Sequence, residues 1–157
     1  WQDEGFKSRF PEADWANALE IKVSDGYEPL IFDLDVTDAM GESLLSDMLS
    51  EGYTLWHVSK DLEASEARAQ PELNALFADA AAQGWRVGAL TPATAEDAEA
   101  FRAAHGVNYP FYTTDPTELK IIVRSNPVVV LLRDGVVVDK WAWRDVPATA
   151  ADALSGH

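Results

Sequence analysis

The chain contains no cysteine. Disulfides, thiolate metal sites and every thiol-based redox mechanism of this chain's own are therefore excluded. The compartment stays open, because a cysteine-free chain is safe in either redox environment. No apolar run approaches the roughly 18 residues that a membrane span requires, so no direct membrane insertion is expected, and no signal peptide is visible. Basic residues are scarce: 12 Lys and Arg stand against 27 Asp and Glu, for a formal net charge of -15 at pH 7. A field of that sign repels phosphate backbones and anionic lipid, which argues against nucleic acid as a partner. Histidine is rare too. No two of His57, His105 and His157 share metal-ligand spacing, so no metal site is expected. There is no Gly-x-Ser-x-Gly elbow and no phosphate-binding glycine loop. Gly84-Trp85-Arg86-Val87-Gly88 is too sparse for a dinucleotide fingerprint. No catalytic constellation and no cofactor site can be recognised, which argues against an enzyme. Internal repeats and low-complexity segments are absent.

What is present is a 157-residue chain, 47% hydrophobic, enough for one domain with a real core. Residues 1–26 read as an N-terminal extension or linker, with an edge strand at 18–23, and residues 27–157 as the folded domain. The clearest element is a hairpin. Val128 to Leu132 is continuously apolar, so it reads as a strand buried on both faces. Asp134-Gly135 follows, the preferred pair for a type I′ turn, and then a more exposed strand. Upstream, Leu30-Ile31-Phe32-Asp33-Leu34 reads as a strand. Thr37-Asp38 is placed to cap a helix carrying Leu44, Leu45, Met48 and Leu49. A buried strand over 53–58 leads into a helix capped by Ser59 or Asp61, kinked or restarted at Pro71, with Leu73, Leu76, Phe77 and Ala80 on one stripe. Trp85 to Leu90 is the next strand. Thr94 caps a helix with Ala98, Phe101 and Ala104 facing inward. A short strand at 109–112, a helix opened by Thr114 or Asp115 with Pro116 at its first position, and a short terminal helix at 149–154 complete the series. A βαβ crossover forces a parallel pair, and the hairpin adds an antiparallel one. The expected architecture is α/β, a mixed sheet with helices on both faces.

That order, with Pro127 just before the first hairpin strand, resembles the thioredoxin fold. The resemblance implies a cis Asn126-Pro127 bond at the border of the family's active site. The added strand and helix at 27–50 and the helix at 116–124 look like the peroxiredoxin or TlpA branch. Several strings, among them His57-Val58-Ser59-Lys60-Asp61-Leu62-Glu63, Tyr109-Pro110-Phe111, Arg124-Ser125-Asn126-Pro127 and Leu131-Leu132-Arg133-Asp134-Gly135, are similar to the C-terminal soluble region of bacterial DoxX-type membrane proteins. The likeness covers roughly residues 26–147. It implies a periplasmic or other extracytoplasmic domain tethered to the inner membrane. Its partner would be the DoxX-type helices of the same full-length chain, or another envelope protein. The start at Trp1 rather than Met fits a processed product or an excised piece.

The family's chemistry has no counterpart here. Anchoring on Pro71, the resemblance places Glu63 and Glu66 at the two cysteine positions of Cys-x-x-Cys. Two readings follow. Glu63 and Glu66 form a carboxylate pair for acid–base work or a cation, or they and Asp61 complement a helix dipole at about 0.3–1 kcal/mol each. The second is the simpler. Asn126 and Pro127 either retain a peptide- or ligand-binding role or only shape the turn. Arg124 either holds an anion or pairs with Asp61, Glu63 or Glu66. With Lys60 these residues outline a vestigial cleft. His57 reads as a hydrogen-bonded core histidine. Trp141 and Trp143 share one strand face and either pack beneath the terminal helix or form an aromatic partner surface. The functional expectation is a redox-inactive binding or assembly module. The alternatives are an accessory component of a thiol–disulfide or peroxide pathway, with cysteines supplied by another chain, and a small-ligand binder.

Overall fold

The computed structural model describes residues 35–155. The extension at 1–26, the strands read at 18–23 and 30–34, and His157 lie outside those residues. Within them a five-stranded sheet forms around the expected hairpin. The elements in order are α1 (Leu45–Met48), β1 (Tyr53–Val58), a 3-10 turn (Ala67–Ala69), α2 (Gln70–Ala82), β2 (Arg86–Thr91), α3 (Ala95–His105), β3 (Phe111–Thr113), α4 (Pro116–Ile122), β4 (Val128–Arg133), β5 (Val136–Ala142) and α5 (Ala150–Leu154). The strand order is β3-β2-β1-β4-β5. β2 runs parallel to both β1 and β3, while β4 runs antiparallel to both β1 and β5.

The hairpin turn is of the kind its residues dictate. Asp134 and Gly135 both have positive φ, 52° and 77°. The turn is anchored elsewhere in the chain: Gly52 N donates to Asp134 Oδ1 at 2.8 Å and Asp134 N donates to Gly52 O at 2.9 Å.

β1 and β4 are buried on both faces, as their apolar runs imply. Leu55, Val129 and Leu131 meet Leu73, Leu76, Phe77 and Ala80 of α2 and Ala150 and Ala153 of α5 in one core. Trp56, Val58, Val128 and Val130 meet Met48 of α1, Leu119 of α4 and Val123 in the other. Helices thus cover both faces. Trp141 on β5 and Trp143, just past its end rather than on the strand, are half-buried and pack against the first core.

Three local expectations are corrected. Thr37 and Asp38 do not cap a helix. Thr37 bridges Ser43 and Thr113, and Asp38 Oδ1 accepts from the amides of Met40 and Glu42, so the pair closes a tight loop and α1 is a single turn without a side-chain cap. Neither Ser59 nor Asp61 caps α2. Residues 59–66 stay irregular, Glu66 caps the 3-10 turn, and Pro71 sits in the first turn of α2, where no amide is missed. Ala104 is exposed, not inward. Each three-residue step falls about 60° short of a full helical turn, so Ala104 has rotated about 120° from buried Ala98. No described helix is long and apolar enough to cross a membrane.

Candidate functional site

The carboxyl ends of β1 and β2 lie side by side because the two strands are parallel. Ligands of open α/β sheets gather outside such ends. Here that region is built from the 59–66 loop, the turn at 91–93, the first turns of α3, and the approach to β4 at 124–127.

The Asn126-Pro127 bond is cis. Pro127 is buried, and Asn126 holds the cis-proline loop against the loop that follows β1. Its Oδ1 accepts from Ser59 Oγ and from the Lys60 amide, both at 3.0 Å, and its Nδ2 donates to Asp61 O at 2.6 Å. Ser59 is fully buried. The amide of Asn126 is thus spent inside the protein, joining two loops that the sequence separates by 65 residues.

Glu66 finds its partner locally. Arg68 Nε and Nη2 each donate to one of its oxygens at 2.9 Å, a bidentate fork. That hydrogen-bonded guanidinium pulls the Glu66 carboxyl down to about 2, with the charge of Arg144 a smaller contributor. Arg68 and Arg144 both approach the ring of Trp143, at 5.9 Å and 4.5 Å from its centroid. Arg124 is exposed and makes no ion pair among the described residues, so the expected pairing with Asp61, Glu63 or Glu66 does not form. Asp61 Oδ1 instead accepts from the Ala64 amide at 3.1 Å. Glu63 and Asp61 stand before the helical turn. The dipole reading therefore applies to Glu66 alone, since such effects fade beyond the first turn.

A cleft of about 520 Å³ opens on the far side of the same loop. Residues 60–63 form one wall, Thr91-Pro92-Ala93 the floor, and Asp97, Ala100, Phe101 and Ala104 of α3 the other wall. It excludes Glu66, Arg124, Asn126 and Pro127. The residues outlined from the sequence thus divide. Lys60, Asp61 and Glu63 line the cavity. Glu66 sits in the Arg68–Trp143–Arg144 cluster, and Asn126 and Pro127 lie outside the cavity, with Asn126 bonded to the loop after β1. The floor and the α3 wall were not foreseen. The parallel β1–β2 pair was the available signal for them.

His57 is a core histidine, as read. It is fully buried, with Nδ1 2.9 Å from the Tyr109 hydroxyl, to which Gln70 Nε2 also donates at 2.8 Å. The hydroxyl accepts from Gln70, and its contact with Nδ1 runs in either direction according to the ring tautomer. Nε2 has no partner. Burial pushes the imidazole down to about 4. Among the described residues no three carboxylates or histidines gather as a metal site.

No family model and no curated protein matches this chain. Solved structures do. A thiol:disulfide interchange protein from Bacteroides sp. superposes with a TM-score of 0.57 at 16% identity, over 79% of this chain and 90% of its own. The thioredoxin domain of a thiol-disulfide oxidoreductase from Bacteroides vulgatus gives 0.55 at 16%, over 69% and 81%. StoA from Bacillus subtilis gives 0.53 at 13%, over 73% and 90%. Likeness at such identities establishes architecture alone: the chain has a thioredoxin-like fold, and it has no cysteine.

Proposed function

We propose that this chain is a redox-inactive member of the thioredoxin-like group that serves as a binding or assembly module outside the cytoplasm. One observation carries the reading. The Asn126 bridge keeps the cis-proline loop and the β1–α2 loop together, while no thiol is present to use that geometry. Glu66, which the resemblance sets at a cysteine position, is held ionised by Arg68. A carboxylate can neither form a disulfide nor attack one.

The extracytoplasmic address and the DoxX-type partner rest on the string resemblance. The exposed lipoprotein thioredoxin of Streptococcus pneumoniae, with a TM-score of 0.52 at 13% identity, is a neighbour whose name fits such an address. Membrane-embedded DoxX-type helices or another envelope protein are the partners proposed. A second reading, a ligand binder, is favoured by the cleft of about 520 Å³.

The test is direct. Insulin reduction and peroxide turnover by the purified chain are expected at the buffer blank. Turnover above the blank overturns the reading. For the partner, a photo-crosslinker at Ala100, exposed on the cleft wall, is expected to capture a DoxX-type protein in envelope membranes. Capture of cytosolic proteins alone removes that address.

A further inference from the structure

The cleft between the 60–63 loop and α3 has a lining that loop geometry alone does not require. Its walls are apolar at Leu62, Phe101 and Ala104, while Asp61, Glu63 and Asp97 stand against Lys60. Three carboxylates and one ammonium leave the cavity two charges negative. None of the three carboxylates is in an ion pair among the described residues. Among the described residues, Asp61 and Asp97 accept only from neutral donors, the Ala64 amide and the Thr94 hydroxyl, and Glu63 accepts from none.

We infer that this cleft seats a short segment of a partner protein in which a lysine or arginine stands beside apolar side chains. The inference rests on the binding-module reading and names what that module binds. The volume falls within the range of about 300–1,000 Å³ usual for ligand sites. Carboxylates lie on both walls, Asp61 and Glu63 on the loop and Asp97 in the first turn of α3. A cation between them is approached from two sides, while its apolar neighbours cover Phe101 and Leu62. The net charge of -15 steers such a segment inward. The Asn126 bridge holds the loop wall in place before binding, which lowers the ordering cost.

The experiment is an amide-resolved NMR titration of the intact chain with the capped peptide Ala-Leu-Lys-Leu-Ala, its Glu-for-Lys counterpart, and hexylamine. Expected are shifts at 60–63, 91–93 and 97–104 with the lysine peptide alone, weakening as salt rises. Glu63→Gln with Asp61→Asn weakens binding about tenfold, the sum of two exposed charge pairs. Ala104→Trp, at an exposed position, blocks the cleft and abolishes binding with the melting temperature retained. Arg124→Ala leaves it unchanged. Four results overturn the inference: no binding of the lysine peptide, equal binding of the glutamate peptide, shifts confined to 124–128 and 143–144, or hexylamine binding as tightly as the peptide. Insulin reduction on the same samples tests the parent reading separately. Turnover there removes the inactive module but leaves a measured peptide affinity standing.

Discussion

His57 occupies β1 with its ring against Phe77, Tyr109 and Phe111 and no accessible surface. Burial lowers its pKa from 6.5 to about 4. The neutral ring is the form that folds. Its contribution is complete above about pH 6.5 and is lost as pH falls toward 4, because the unfolded chain takes up a proton that the folded chain refuses. The full difference is about 3 kcal/mol. Urea midpoints are expected to fall between pH 7 and 4.5, and His57→Phe to flatten that slope. An unchanged slope in the variant assigns the effect to other groups. Glu66 behaves with the opposite origin. Its carboxyl is held down by Arg68, so the stabilisation is present above 4.5 and lost as pH falls toward 2. With Arg68 77% exposed, solvent screens the pair and little stability is at stake. The titration itself is the measurement: in Arg68→Ala, carboxyl NMR is expected to show Glu66 returning toward 4.5, and a midpoint left near 2 dismisses the fork as its cause.

Elements are joined by side chains distant in sequence. Asn126 makes three hydrogen bonds across the loop after β1. Asn126→Ala leaves the Lys60 amide without its acceptor and takes one donor from Asp61 O, while the Ser59 hydroxyl keeps Asp61 O as its acceptor at 3.1 Å, at a cost of about 1–3 kcal/mol. Faster hydrogen exchange at Lys60 than at β1 amides is the expected sign. Equal protection shows that the loop is held by something else. Gly135 is needed twice. Its φ is +77°, and an added Cβ would lie 2.7 Å from Leu49 O. Gly135→Ala is expected to destabilise by about 1–3 kcal/mol through strain and overpacking. A loss under about 0.5 kcal/mol indicates that α1 yields freely. Helix starts were readable where the cap is local: Thr94 and Asp115 each accept from an amide of their own first turn. Thr37-Asp38 has the same composition and does otherwise, because Thr37 finds a long-range partner in Thr113.

At the scale of the whole molecule, a charge of -15 on 157 residues works against compaction. Raising sodium chloride from low to physiological strength is expected to raise the melting temperature at pH 7.5, and an insensitive melting temperature shows that the acidic residues are already compensated. The same acidity gives the cleft its sign. The resemblance to the thioredoxin fold was legible because the chain's strongest local signals, the Asp134-Gly135 turn, Pro127 and the apolar run after it, fall in the order that the fold requires. The candidate site was legible by half. Lys60, Asp61 and Glu63 could be named from their place after β1. Pro92, Asp97 and Phe101 could not, because nothing in their own segment marks them.

By itself the sequence determined the turn residues, the buried strands, the caps that act within one helical turn, and the exclusion of thiol chemistry, since each depends on neighbours a few residues away or on composition alone. The tertiary structure decided what depends on distance in space. It paired Glu66 with Arg68 and left Arg124 unpaired among the described residues. It spent Asn126 on the loop after β1 and set the cavity against α3 rather than against the cis-proline loop. The physical reason is that a parallel β1–β2 pair brings together segments some 30 residues apart, and the side chains that meet there carry no local pattern that announces the meeting.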